Sequence, residues 1–240
     1  MAVKDITYQG NKYSIYYDLI NPKMQKNIII LHGWGSNKEI MKSCFSPFFK
    51  EFRHVYIDMP GFGKSKTKNV LTTKDYQQII SSFLKESKLE KDIIIGHSFG
   101  GKVASLLQPD LLVLLSSAGI VPPKRWNVRF KIKLFKFLKL FGLGAFRRYF
   151  ASKDVSDMDQ NMYETFKNVV DEDFTSVFSA YDKKALIFWG KSDTATPLSS
   201  GKMINTLIKD SKLFALDGDH FFFTKHAKFI ADTITEEFHG

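Results

Sequence analysis

The chain has one cysteine in 240 residues, so it cannot form an internal disulfide. That residue, Cys44, falls in a stretch that reads as a helix over 39–52, where a buried thiol is expected. Histidine and cysteine never occur at metal-ligand spacing, and neither a metal nor an organic cofactor is expected. Long apolar runs are also missing. Nothing approaches the roughly 20 apolar residues that cross a bilayer, and the opening Met1-Ala2-Val3-Lys4-Asp5-Ile6 lacks the apolar run of a signal peptide. The expectation is a soluble protein in a reducing, cytoplasmic setting. A phosphate-cradling Gly-x-Gly-x-x-Gly is absent as well: Gly61 and Gly63 are followed by Lys66 where the third glycine would stand, which disfavours a nucleotide site. Acidic residues are absent from Lys124 to Lys153, where ten basic residues carry the whole formal excess of +10. From Asp154 to Asp182, by contrast, eight acids face one base, Lys167. No recognition motif accompanies the basic run, so nucleic acid is not an expected partner.

The apolar content, 44%, is ample for the core of one α/β domain with an insertion, or of two small domains. Residues 6–9 and 13–17 flank Gly10-Asn11, a two-residue hairpin signal. Continuous apolar runs then recur at Ile28–Leu31, Val55–Ile57, Ile93–Ile95, Leu111–Leu115, Ala185–Trp189 and Lys212–Leu216, separated by helical stretches. Thr72 and Asp75 make a capping box for the helix predicted over 73–88. This alternation predicts a mostly parallel, doubly wound sheet begun by an antiparallel hairpin. It breaks between about 120 and 182, where no strand is evident and several helices are expected. The predicted organisation is a core from 1–119 and 183–240, with 120–182 inserted as a helical cap over the carboxyl ends of the strands, the edge that carries sites in such sheets.

The loops at that edge carry the chemistry. Gly96-His97-Ser98-Phe99-Gly100-Gly101 joins a strand to a helix, the context of a serine nucleophile held on a strained turn. A serine that merely caps the helix is the competing reading. His32-Gly33-Trp34-Gly35 follows the first parallel strand, and the backbone N–H groups of Trp34 and Phe99 are candidates to hold an oxyanion. His32 is expected to be structural. In Asp58-Met59-Pro60-Gly61-Phe62-Gly63 the acid is expected to bond within its own loop. Asp193 lies just past a strand and ahead of Pro197, suited to an orienting carboxylate or to a capping role. His220 lies in the loop after the last strand, so the order Ser98, Asp193, His220 is that of a serine–acid–histidine triad.

Taken together, these stretches, with Gly190-Lys191-Ser192-Asp193 and Gly218-Asp219-His220, resemble the α/β-hydrolase fold family over essentially the whole chain. The resemblance implies Ser98 as nucleophile, His220 as base and Asp193 as acid, with no cofactor. Serine at 98 departs from haloalkane dehalogenases, which place aspartate there. Ser116-Ser117 occupies the place where some members carry the acid, so Asp193 has no rival. His97 is more similar to carboxylesterases than to meta-cleavage product hydrolases, which often carry asparagine there and tryptophan where this chain has Phe221. The expected activity is hydrolysis of a carboxylic ester of an apolar acyl or aryl group. Carbon–carbon hydrolysis and hydrolysis of an acyl-carrier-protein ester are the enzymatic alternatives, and a non-catalytic binding protein of this fold is the alternative of a different class.

The insertion is expected to select the substrate. Phe130, Leu134, Phe137, Leu138 and Phe141 share one helical face, with Lys131, Lys133, Lys136 and Lys139 opposite. That basic arc is either a solvated face, balanced by the acidic stretch after it, or a surface for an acidic carrier protein or an anionic membrane. Met158, Met162, Phe166 and Val170 recur every fourth residue and are expected to line a packed face, with the roof of an apolar pocket as the alternative.

Overall fold

The computed structural model describes residues 1–121 and 159–239. Strands β1 (Ala2–Tyr8) and β2 (Asn11–Ile20) pair antiparallel with Tyr8 opposite Asn11. The connecting residues are therefore Gln9 and Gly10, one position earlier than the sequence signal. Both have positive φ, 48° and 73°, as the primed turn matching strand twist requires. The remaining strands are β3 (Asn27–Leu31), β4 (Arg53–Ile57), β5 (Ile93–His97), β6 (Leu111–Leu115), β7 (Lys184–Gly190) and β8 (Ser211–Leu216). They make one sheet in the order β1-β2-β4-β3-β5-β6-β7-β8. From β4 to β8 every neighbouring pair is parallel, and β2 joins β4 antiparallel.

The described helices are α1 (Lys38–Phe45), α2 (Thr73–Glu86), α3 (Phe99–Leu107), α4 (Gln160–Val170), α5 (Thr175–Ser179), α6 (Leu198–Leu207) and α7 (Phe223–His239). Because strand side chains alternate, β3 sends Ile28 and Ile30 into one core and Ile29 and Leu31 into the other. The first core is closed by Met41 and Phe45 of α1 and Ile230 and Ile234 of α7. The second is closed by Ile79 and Phe83 of α2, Val103 of α3 and Ile204 of α6. Both faces are thus covered, which is why the central strands read as unbroken apolar runs.

Two local expectations change. Helix α1 stops at Phe45 rather than near 52: Ser46 still has helical backbone and donates to the Lys42 carbonyl, but Pro47 has no N–H to continue the ladder. Phe49 and Phe52 still reach the core, through irregular backbone in which Phe49 has φ of 53°. Cys44 is half-buried rather than buried, and its burial pushes the thiol pKa up. The capping box of α2 forms as read, with Thr72 accepting from the Asp75 N–H and Asp75 accepting from the Thr72 N–H.

A buried ion cluster ties β2 to α1. Asp18 Oδ2 lies 2.9 Å from Lys42 Nζ and 3.4 Å from Lys38 Nζ. Burial opposes the charge on Asp18, but Lys42, the Met1 amino group 3.1 Å from Oδ1, and Lys38 outweigh it and hold its pKa down at about 2. A carboxyl that titrates lower in the native than in the unfolded chain stabilises above the unfolded value and loses that contribution as pH falls through the native one. Asp18→Asn is therefore expected to cost about 1–3 kcal/mol at pH 7, with the deficit shrinking as pH drops from about 4 toward 3. Urea melts of both proteins across that range check it; a deficit independent of pH would contradict it.

Between β6 and β7 the described residues hold α4 and α5 and no strand. Helix α4 buries Met162, Thr165, Phe166 and Val169, while Val170 is only partly buried. The buried face thus follows the 3.6-residue period, and a strict four-residue stride drifts off it. Met158 and the basic helix expected over 130–141 lie outside the described residues. Polar contacts fasten α4 to the core: the Leu71 N–H donates to Thr165 Oγ1 at 3.0 Å and Asn161 Nδ2 to the Thr67 carbonyl at 2.9 Å. Lys102 of α3, 1% exposed, donates to the Val169 carbonyl at 2.6 Å and pairs with Glu172 at 2.7 Å. Among the described residues no helix is long and apolar enough to cross a membrane, and no cluster of metal-ligating side chains occurs.

Candidate active site

Ser98 sits between β5 and α3 with φ of 51° and ψ of −114°, a conformation that L-residues rarely adopt. Three glycines make that turn possible. A Cβ at Gly96 would lie 2.5 Å from the Gly100 carbonyl oxygen, and one at Gly100 would lie 2.6 Å from the His32 carbonyl oxygen. At Gly101 it would meet Ser117 Oγ at 2.2 Å. The helix start therefore closes on β5, on the end of β3 and on the segment after β6 at distances that only hydrogen can fill. The Ser98 side chain makes no capping bond to α3, so the competing N-cap reading does not describe it. Its backbone is held instead: Ser98 N–H donates to the Leu115 carbonyl, and its own carbonyl accepts from Gly101 and Ala118.

The loops after β7 and β8 meet. His220 Nδ1 lies 2.8 Å from Asp193 Oδ2. A carboxylate can only accept, so in the neutral imidazole Nδ1 carries the proton and Nε2 is left as a lone pair. Asp193 is itself fixed: Oδ1 accepts from the N–H groups of Ala195 at 2.8 Å and Thr196 at 2.9 Å, and Thr196 Oγ1 lies 2.9 Å from Oδ2. Burial alone would raise the Asp193 pKa. His220 beside it and these donors outweigh that effect and hold the carboxyl below its ordinary value. Thr196 reaches further, to within 3.1 Å of the Ser116 carbonyl and 3.3 Å of His220 Nδ1. Neither Thr196 nor Ser116 has a role in the sequence analysis, where Ser116 figures only as the place that carries the acid in some family members. The Asp-x-x-Thr spacing ahead of Pro197 was a signal for the former; for the latter there was none, because it arrives from another strand.

The loop after β3 lies against the elbow, since a Cβ on Gly33 would stand 3.2 Å from Ser98 Cβ. Met59, in the loop after β4, donates its N–H to His32 Nε2 at 3.1 Å, which makes Nδ1 the protonated nitrogen, and Nδ1 donates to the Gly33 carbonyl at 2.8 Å. Gly33 C=O and Trp34 N–H belong to one planar trans peptide and point opposite ways. His32 therefore sets the direction of the Trp34 N–H while taking no proton itself: it is fully buried, and burial lowers its pKa. Phe99 opens α3, so its N–H has no partner within the helix. Among the described residues nothing accepts from the N–H of Trp34 or Phe99. Asp58 bonds within its own loop as read, accepting from the Lys64 N–H at 3.1 Å, and it also reaches out of the loop to accept from the Lys38 N–H at the start of α1 at 2.8 Å.

Aromatic rings surround this edge. The Trp34 ring lies 4.9 Å from Phe62, 5.6 Å from Phe99 and 5.3 Å from Phe166 of α4, centroid to centroid. Phe221 stands 5.7 Å from the His220 ring. Phe222 and Phe223, next in the chain, belong to the core under α1 and α7, where Phe223 stacks at 6.2 Å on Phe45 and also lies 4.8 Å from the His97 ring.

Comparison with known proteins bears on the family and the fold. The model of the alpha/beta hydrolase family matches residues 28–233. A Mycoplasma pneumoniae protein whose name places it among esterases and lipases is 26% identical over 202 residues, covering 73% of this chain and 74% of its own length. The pimeloyl-acyl-carrier-protein methyl ester esterase of Proteus mirabilis is 36% identical over 84 residues, only 35% of this chain and 31% of that one. The solved structure of an esterase from Exiguobacterium antarcticum superposes with a TM-score of 0.79 at 18% identity, covering 95% of this chain and 96% of the other.

Proposed function

Given that this chain belongs to the alpha/beta hydrolase family, we propose that it hydrolyses carboxylic esters of apolar acyl or aryl groups through an acyl-enzyme on Ser98. The observation that carries this reading is a serine at φ of 51° with no capping bond, on a turn that admits glycine alone at 96, 100 and 101. A strained backbone that leaves a hydroxyl unused by its own helix supports a nucleophile.

The steps follow from the tautomers above. His220 Nε2 takes the Ser98 proton as Oγ attacks the acyl carbon, and Asp193 offsets the positive charge that forms on the ring. The carbonyl oxygen becomes an oxyanion held by the N–H groups of Trp34 and Phe99, each worth about 3–4 kcal/mol of barrier by comparison with measured oxyanion donors. The imidazolium then passes the proton to the alcohol as it leaves. Water attacks the acyl-enzyme by the same route in reverse and releases the acid. The rings of Trp34, Phe62 and Phe166 offer an apolar wall to the acyl group. Residues 120–182 act in this reading as the cap, with α4 supplying its Phe166 edge, and the working compartment is the cytoplasm.

A second reading of the substrate, an acyl group on an acidic carrier protein, is favoured by the ten basic residues of 124–153 and by the name of the Proteus mirabilis relative. Carrier-bound esters would then turn over faster than free ones at low salt, with the advantage lost as salt is raised.

A panel of p-nitrophenyl esters of rising acyl length, run beside a vinylogous 1,5-diketone, tests the proposal. Ester turnover without diketone cleavage is the expected result. Diketone cleavage without ester turnover would replace the ester reading with carbon–carbon hydrolysis, and neither activity would overturn both.

A further inference from the structure

His97, the residue before the elbow serine, has no part in the chemistry above, yet its ring lies against the base. The ring is 2% exposed, its centroid is 4.7 Å from that of His220, and Nε2 lies 3.0 Å from the His220 carbonyl oxygen. We propose that His97 is a positioning residue for the base: as a neutral Nε2–H tautomer it anchors the His220 backbone to the end of β5 and so fixes the imidazole relative to Ser98. The inference rests on the triad reading and adds to it the group that ties nucleophile and base together.

The tautomer follows from the partner. A carbonyl only accepts, so Nε2 must donate. One proton on Nε2 leaves Nδ1 bare, and Nδ1 is buried without a partner among the described residues, facing the Gly33 backbone: a Cβ there would stand 2.9 Å away. A protonated ring would put a second N–H against that wall with nothing to receive it, and a second cation beside an imidazole that turns positive in each catalytic cycle. Burial first, and the charge of His220 second, hold the His97 pKa well below the ordinary histidine value. The ring therefore stays a single-proton donor throughout.

The location gives the bond its use. Residues 97 and 220 are 123 apart in the chain, and the His220 loop leaves an edge strand, β8, with Gly218 at φ of 134°. Asp193 holds the side chain of His220 through Nδ1, which fixes the ring plane but not the backbone that carries it. The His97 bond holds that backbone from the side of the nucleophile. Phe221 at 5.3 Å and Phe223 at 4.8 Å keep the His97 ring from turning away.

The test compares His97→Gln with His97→Met. The two side chains have similar length and flexibility, and only Gln places an N–H near the position of Nε2. On a p-nitrophenyl ester, His97→Met is expected to lose about tenfold to hundredfold in kcat with KM within about twofold, while His97→Gln stays within about threefold of the parent. Equal kcat in the two variants, whether both high or both low, overturns the positioning role and leaves packing alone. In the unsubstituted protein, which needs no variant to fold, ring nitrogen-15 shifts should identify His97 as the neutral Nε2–H tautomer; an Nδ1–H tautomer overturns the inference. Labelling by a fluorophosphonate separates the two levels. A parent that takes no label overturns the triad reading and this inference with it, whereas a labelled parent with equal variants overturns this inference alone.

Discussion

Ser98→Ala is expected to lower ester turnover by a factor of about 10⁴ or more, with the fold intact. The loss is that large because the hydroxyl is the atom that bonds to the acyl carbon, and no neighbouring group stands in the same place. The turn is built by backbone contacts: Ser98 N–H to Leu115, and Gly101 and Ala118 to the Ser98 carbonyl. None of these uses the side chain, and the side chain makes no capping bond whose loss would cost stability. Alanine also keeps the same strained φ, so the melting temperature is expected to move by only a few degrees. A thermal melt beside the kinetic assay separates lost chemistry from lost structure. Turnover within tenfold of the parent would mean that another residue attacks the ester.

The second large effect is expected at Asp193. In Asp193→Asn the amide oxygen can still receive the Ala195 and Thr196 N–H groups that Oδ1 receives now. The amide nitrogen is then turned toward His220 Nδ1, where Oδ2 now sits at 2.8 Å. Two donors cannot face each other, so the imidazole moves its proton to Nε2 and the lone pair that should take the serine proton is gone. In the triads of serine proteases the corresponding change costs about 10⁴ in kcat through the wrong tautomer, and a loss of the same order is expected here. Steady-state kinetics at pH 7 check it. The buried carboxylate's low pKa adds a sign: because Asp193 stays ionised well below neutrality, the acid-side loss of activity should not trace to this group. A variant that kept its activity would show that Asp193 merely caps its loop.

Much of this was legible in the sequence, and the failures have physical causes. The sheet was legible because strands covered on both faces must be apolar at every position, as Ile28–Leu31 and Leu111–Leu115 are. The elbow was legible because close backbone approach leaves room only for glycine. The misread end of α1 came from weighing apolar spacing past Pro47, where backbone chemistry decides. The α4 face was legible at Met162 and Phe166 and departed only at its end, where Val169 rather than Val170 is buried, because a stride of four drifts from the true helical period. The Thr196–Ser116 and His97–His220 contacts were out of reach for a different reason. Each joins segments brought together only when the sheet forms, and no local pattern encodes such a contact. Phe222 and Phe223 illustrate the same limit in reverse, since neighbours of His220 in sequence turn into a separate core.

The acyl-enzyme mechanism stands or falls on which atom attacks. Treating the protein and its Ser98→Ala variant with a fluorophosphonate and mapping the adduct by mass spectrometry reads that atom directly. The expected result is one adduct, on the peptide carrying Ser98, absent from the variant. No adduct on the unsubstituted protein, or an adduct that survives the substitution, would contradict the assignment of Ser98 as the nucleophile.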